Sequence, residues 1–289
     1  MTDKEFMDQY LEYINAPERE KEAAQAQNKF IQSVLTEIYE PDKKDAKNRY
    51  IGDYSDDKTA LHKCPKDFEG TYFIPDGVEM ILLSAFKNCK DLASIIMPDS
   101  VLEIHDYVFR GCTNLTYVKF SDALESIGWY AFAECIGLTS IFIPDSVERI
   151  GAMAFSGCVN LENVILSDSL KEIGSHTFSG CVSLQNITIP ASVQDIDPHA
   201  FEGCTGLTRI IIPEGVKHIH SGAFSGCANI TTITLPASLR TLDANTAGIF
   251  EGCRNLKEII VPVGHKQRIA DLFDIDGKDE QYKALLIEK

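Results

Sequence analysis

One segment of the sequence repeats along most of the chain, and this repeat constrains the fold more than any single residue does. A phenylalanine recurs every 23 residues, and a cysteine three positions after it recurs at the same interval. The phenylalanines are Phe86, Phe109, Phe132, Phe155, Phe178, Phe201 and Phe224, and the cysteines are Cys89, Cys112, Cys135, Cys158, Cys181, Cys204 and Cys227. An eighth copy carries Phe250 and Cys253 after an interval of 26 residues. A fixed period between about 20 and 50 residues is typical of solenoids, so the sequence predicts about eight stacked coils over residues 68–262.

A single copy shows how one coil folds. In the segment LTSIFIPDSVERIGAMAF, the side chains of Leu138, Ile141 and Ile143 point inward from a short strand, while Ser140 and Phe142 point outward. One coil buries its apolar residues only partly. Stacking the coils closes the core, and the stacked strands then form a parallel sheet along the solenoid.

Three further segments flank the solenoid. Apolar residues at helical spacing predict helices over residues 3–14 and 17–39, within an N-terminal segment of residues 1–40. That segment is either a cap for the first coil or a separate partner-binding hairpin. Residues 41–67 are rich in charge and poor in aliphatic side chains, which favours a linker or a long exposed loop. Residues 263–289 contain a short helical pattern, GHKQRIADLF, and are predicted to form a C-terminal cap.

The segment LTSIFIPDSVERIGAMAFSGC resembles the BspA-like, or Treponema-type, leucine-rich repeat family. The resemblance covers about residues 72–262. It implies a repeat solenoid of the α/β leucine-rich repeat type, with about eight coils of 23 residues and a parallel sheet, to which the helical N-terminal segment is added. Members of the family are mostly bacterial or protist surface proteins, and several are adhesins. The resemblance therefore implies a host matrix or cell-surface protein as partner, and a location at the cell surface or outside the cell.

Charge and hydropathy narrow the range of partners. The formal net charge is −16, which repels phosphate backbones, so we predict no nucleic-acid partner. No run of 18 or more apolar residues occurs, so we predict no membrane insertion. The first residues, MTDKEFMDQY, show neither the basic region nor the apolar region of a signal peptide. The sequence as it stands therefore indicates a cytoplasmic protein, in contrast to what the resemblance implies.

Few residues in the sequence indicate catalysis, cofactor binding or metal binding. The repeated cysteines occupy a core position, where thiols are inert, and no nucleophile-elbow, zinc-protease, P-loop or dinucleotide-binding motif occurs. We therefore predict neither catalysis nor a cofactor. His176 and His199 share one repeat position on adjacent coils, and His218 and His220 follow on the next. Such histidines either bind a soft divalent ion adventitiously or are ordinary surface residues, and we predict no metal site.

The remaining candidate is a binding surface on the outward positions of the strands. Phe142 beside Ile165 is an apolar patch on an outer face, which is typical of partner sites. The predicted site consists of Tyr117, Lys119, Phe142, Asn163, Ile165, Asn186, Arg209 and Ile211. The predicted function is a protein-binding module, either adhesin-like or an interaction scaffold. The alternatives are a structural scaffold without a ligand and, least favoured, an enzyme; the patch itself could instead pack against the N-terminal helices or a second copy of the chain.

Overall fold

The structure is a computed structural model, and it describes residues 50–243, 248–273 and 280–289 of the chain. The chain divides into two compact units, Met1–Lys47 and Asn48–Lys289. The helices predicted over residues 3–14 and 17–39 lie outside the described residues. The repeats lie in the second unit.

Each coil of this unit contributes one longer and one shorter strand, numbered here β1 to β20 in chain order. The longer strands are β3 (Gly70–Phe73), β5 (Leu92–Ile96), β7 (Tyr117–Lys119), β9 (Ser140–Phe142), β11 (Asn163–Ile165), β13 (Asn186–Thr188), β15 (Arg209–Ile211), β17 (Thr232–Thr234) and β19 (Glu258–Val261). The shorter strands are β2 (Ala60–Lys63), β4 (Met80–Ile81), β6 (Glu103–Ile104), β8 (Ser126–Ile127), β10 (Arg149–Ile150), β12 (Glu172–Ile173), β14 (Asp195–Ile196), β16 (His218–Ile219) and β18 (Thr241–Leu242). Strands β1 (Asp53–Tyr54) and β20 (Leu286–Glu288) lie at the two ends.

Both sets of strands form parallel ladders, which confirms the predicted repeat solenoid. The longer strands pair only with longer strands, and the shorter strands only with shorter ones, apart from β1, which pairs antiparallel with β2, and β20, which extends the longer set. Nine coils are visible in the described residues, one more than the repeat count indicated. Apart from β2, which has four residues, the shorter strands have two residues each, and turns connect them to the longer strands. The shorter strands were not predicted, because a single inward side chain such as Ile150 carries no alternating pattern.

The phenylalanines form a continuous column through the core. From Phe86 to Phe250 the ring centroids of successive coils lie 4.9 to 6.1 Å apart, and the rings are within 22° of parallel. Tyr72 closes the column at one end with an edge-on contact at 4.8 Å, and Tyr282 closes it at the other at 5.5 Å. Ring spacing near the strand spacing means that the coils stack in register.

The cysteines form a second column beside the first. All nine cysteines are buried and unbridged. The thiol of Cys158 donates a hydrogen bond to the carbonyl of Phe132 at 3.1 Å, and Cys135 donates likewise to Phe109 at 3.0 Å. The same bond recurs from Cys112 to Cys253. From Cys112 onward, each thiol therefore satisfies a core carbonyl of the preceding coil.

The first coil begins earlier than predicted. Residues 53–63 were assigned to a linker or exposed loop over 41–67, but they form β1 and β2, and β2 pairs in parallel with β4. Leu61 and Cys64 are completely buried, so this stretch belongs to the solenoid. The prediction failed here because exposed charged residues surround the few apolar ones. Residues 41–49 lie outside the described part of the chain.

At the C-terminal end, a short helix and a strand cover the last coil. Helix α1 spans Lys266–Leu272, where a capping helix was predicted, and Ile269 on it is fully buried. A 3-10 helix, Glu280–Leu285, leads into β20, which pairs with β19. Within the described residues, no helix combines the length and the apolar character needed to cross a bilayer.

Candidate functional site

The predicted binding site lies on the outward face of the longer strands, which we call the strand face. In the sheet β9-β11-β13, Ile165 is opposite Phe142 on one side and Thr188 on the other. Phe142 and Ile165 are partly buried, whereas Ile141 and Val164 between the outward positions are fully in the core. The predicted apolar pair is therefore adjacent and in register.

The other predicted residues lie on neighbouring sheets. Tyr117 and Lys119 are on β7, at the edge of the sheet β3-β5-β7, and Arg209 and Ile211 are on β15, at the edge of the sheet β15-β17-β19-β20. The strand face is thus divided into three hydrogen-bonded groups. The phenylalanine column is continuous across both divisions, so the coils themselves remain stacked.

Exposure differs along the strand face. Ile211 is 63% exposed, the most exposed large apolar side chain among the predicted residues, and Arg209 is also exposed. Asn163 is only 5% exposed, which contradicts the expectation that it is accessible. Its strand, β11, is central in its sheet and has β9 and β13 on its two sides, so a short side chain there has close neighbours. Asn186 occupies the same register position on β13.

A second surface runs along the turns that follow the shorter strands, and we call it the turn row. Its residues share a left-handed backbone with φ between 55° and 60°: Ser84, Tyr107, Tyr130, Met153, His176 and His199. Each backbone N–H donates to a carbonyl in the next coil, as in the 3.1 Å bond from His176 to Pro198. These bonds hold successive side chains of the row one above the other.

The first half of the turn row is an aromatic and cationic stack. The rings of Tyr107 and Tyr130 lie 4.8 Å apart and nearly parallel, and the Arg110 guanidinium lies over both. Arg110 also pairs with Glu134 at 2.8 Å. The arginine thus has aromatic and carboxylate partners within the stack. Trp129, immediately before Tyr130, is 60% exposed.

The second half of the turn row contains the histidines. The imidazoles of His176 and His199 are stacked with centroids 4.7 Å apart and planes within 6°. The Glu202 carboxylate lies 3.6 Å from Nδ1 of His176 and 3.4 Å from Nδ1 of His199. The sequence placed the two histidines together but missed Glu202, which follows His199 by three residues on the same turn.

His218 and His220 do not join this group. His218 Nδ1 is 2.8 Å from the Thr241 hydroxyl, and His220 lies between Asp195 at 3.9 Å and Asp243 at 3.8 Å. In the described residues, the group with metal-ligand spacing is His176, His199 and Glu202, whose donor atoms all lie within 4.8 Å of one another.

The buried cysteines are poor nucleophiles. Burial raises the pKa of the Cys112 and Cys158 thiols to about 12, so both are protonated at neutral pH. A protonated thiol is neither a nucleophile nor a metal ligand. The cysteine column is therefore part of the core.

Taken together, the parallel strand ladders and the aromatic column define the class of this protein as a leucine-rich repeat solenoid. The sequence model of the BspA-type leucine-rich repeat region matches residues 79–208 and 171–274, as six copies. The chain belongs to this family. No curated protein matches it.

Several solved structures are similar. A leucine-rich repeat protein from Bacteroides ovatus is 29% identical, with 70% of this chain and 60% of that chain covered and a TM-score of 0.49. The leucine-rich repeat protein of T. pallidum is 27% identical, with 76% of this chain and 91% of that chain covered and a TM-score of 0.49. The chain thus spans about three fifths of the Bacteroides ovatus protein.

Proposed function

We propose that this chain is a protein-binding module whose site is the strand face, and that it acts like an adhesin on a host matrix or cell-surface protein. Membership of a repeat family that generally serves as a protein-interaction scaffold supports the first part. The family resemblance supports the second. The observation that carries the choice of surface is the in-register apolar pair Phe142 and Ile165 on an outward face.

The composition of the strand face supports this choice. An aromatic and an aliphatic side chain at the centre are accompanied by Lys119 and Arg209 on the neighbouring sheets. An apolar centre with a polar rim is typical of interface hot spots. Since the face is built on hydrogen-bonded strands, its backbone loses little conformational freedom when a partner docks.

Two alternatives predict different behaviour. If the chain is a structural scaffold without a ligand, the outward apolar pair has no role, and the parent protein should bind neither matrix nor cell-surface proteins. A self-association surface would make the same pair essential for a dimer.

The test compares two double variants of the full chain. Phe142→Glu with Ile165→Lys alters the strand face, and Val182→Glu with Ile136→Lys introduces the same charges at side chains that are 43% and 40% exposed and lie outside the strands. Each variant is applied to immobilised extracellular-matrix extract and to cell surfaces, and its mass is measured in solution. The proposal expects the first variant to fold, to keep the mass of the parent and to lose binding, while the second binds like the parent.

Other results would contradict the proposal. Equal binding by both variants would place the site elsewhere. A dimer in the parent that separates only in the first variant would make the strand face a self-association surface.

A further inference from the structure

We propose that His176, His199 and Glu202 form a binding site for a zinc ion on the turn row. The site lies outside the strand face and is independent of the function proposed for that face. It joins two adjacent coils, since His176 belongs to one coil, and His199 and Glu202 belong to the next.

The spacing of the donor atoms fits a small tetrahedral ion. Zinc bonds to histidine nitrogen and carboxylate oxygen at about 2.0–2.1 Å, which places neighbouring ligands of a tetrahedron about 3.3 Å apart. The Glu202 oxygen is 3.4 Å from one imidazole nitrogen and 3.6 Å from the other. The two nitrogens lie within 4.8 Å of each other, so zinc binding requires the stacked rings to bring these atoms up to about 1.5 Å closer together.

One of the two imidazole nitrogens near the carboxylate makes no hydrogen bond in the described structure. Nδ1 of His199 is buried and makes no hydrogen bond, although Glu202 is at ion-pair distance. A buried polar atom without a hydrogen bond is costly, and a metal ion is one way of satisfying it.

In the coil that follows His199, a glycine leaves room for the His199 imidazole. A Cβ on Gly222, the next position of the turn row, would lie 2.6 Å from both Cε1 and Nδ1 of His199. The imidazole therefore occupies space that any other residue at position 222 would fill.

The donor set selects the kind of ion. Two imidazoles and one carboxylate suit zinc and other late first-row ions better than calcium or magnesium, which take oxygen ligands. The three side chains remain 24% to 41% exposed, although Nδ1 of His199 itself is buried, so solvent reaches the cluster. With three protein ligands, a tetrahedral zinc ion keeps a fourth position for water, unlike a closed structural site with four protein ligands.

The experiment titrates the full chain with zinc chloride by calorimetry and with cobalt chloride by visible absorption. We expect one ion per chain, a tetrahedral cobalt spectrum without thiolate charge-transfer bands, and no heat from magnesium at the same concentration. His176→Ala, His199→Ala and Glu202→Gln should each weaken zinc binding by at least the ~10–100-fold that is typical when a supporting residue of a metal site is lost. The parent should also unfold at a higher temperature with zinc present, because the ion binds only the folded chain.

Matched variants exclude indirect effects. His218→Ala and His220→Ala remove nearby histidines and should leave zinc affinity unchanged. Gly222→Ala should weaken binding by displacing the His199 ring. Gly157→Ala, at a similar φ of 73° and with no ring nearby, should bind zinc like the parent. Absence of zinc binding in the parent, undiminished binding in His176→Ala and His199→Ala, or thiolate bands in the cobalt spectrum would each overturn the proposal.

Discussion

In the phenylalanine column, replacing a single residue should cause a large loss in the free energy of unfolding. Phe155 is fully buried and stacks on Phe132 at 5.3 Å and Phe178 at 5.6 Å. Phe155→Ala should lower the free energy of unfolding by about 3–5 kcal/mol, because it leaves a cavity between two coils. Phe155→Leu fills most of that volume and should cost clearly less. Urea denaturation followed by circular dichroism measures both, and a loss below about 1 kcal/mol for the alanine variant would contradict the packing described.

Because of the buried cysteine column, the stability of the folded chain should fall at alkaline pH. The pKa of Cys112 and Cys158 is raised to about 12 in the folded chain, while an unfolded thiol has a pKa of about 8.5. Since the folded state holds these protons more tightly, the contribution of these two thiols to stability is constant below pH ~8.5 and is lost as pH rises toward 12. Each such thiol should contribute a slope of about 1.4 kcal/mol per pH unit within that window.

Urea denaturation at several pH values between 8 and 10 measures this slope. Cys158→Ala removes one thiol and should reduce the slope by that amount, although it also lowers stability at neutral pH. A slope that is the same in the parent and the variant would show that this thiol does not titrate on unfolding.

At the scale of the turns, a serine replaces the repeated proline in two copies, and the structure gives a reason. Pro144 lies two residues after strand β9, and the equivalent position one coil later is Ser167. The Ser167 hydroxyl accepts the N–H of Ser169 at 3.0 Å and donates to the Val147 carbonyl at 2.6 Å. Ser121 accepts the N–H of Ala123 in the same way. The hydroxyl thus stabilises the turn that proline otherwise stabilises through its fixed φ.

This role predicts a difference between two buried serine hydroxyls. Ser167→Ala should cost about 1–3 kcal/mol, because a buried N–H and a carbonyl lose a partner. Ser146→Ala is the matched control: its hydroxyl is also buried but has no hydrogen-bond partner, so its removal should be close to neutral. Thermal or urea unfolding distinguishes the two, and an equal cost for both would contradict the assigned bonds.

The elements differ in how far the sequence predicts them. The longer strands follow from their alternating pattern, and the period of 23 residues fixes their stacking. The two-residue strands carry one inward side chain each, which is too little for a pattern. Strand β2 was missed because Leu61 is followed by exposed His62 and Lys63. Glu202 was missed because its proximity to His176 depends on the left-handed turn, which sequence spacing does not reveal.

At the scale of the stacked coils, the inward side chains pack in the core, and the outward side chains remain available for binding. The described coils bury their phenylalanines, cysteines and inward aliphatic residues in one core. Within the described coils, the outward side chains are the ones available for binding, and the strand face and the turn row both present such side chains. The proposed partner site and the proposed zinc site therefore differ in position, so each can be removed without the other.

Hydroxyl-radical footprinting of the full chain, with and without a captured partner, tests the central claim most directly. Phe142 and Tyr117 report on the strand face, while Trp129, exposed beside the turn row, reports on the other surface in the same sample. Binding at the strand face predicts that the oxidation of Phe142 and Tyr117 falls while that of Trp129 is unchanged. Protection of Trp129 with Phe142 and Tyr117 unaffected would contradict the account.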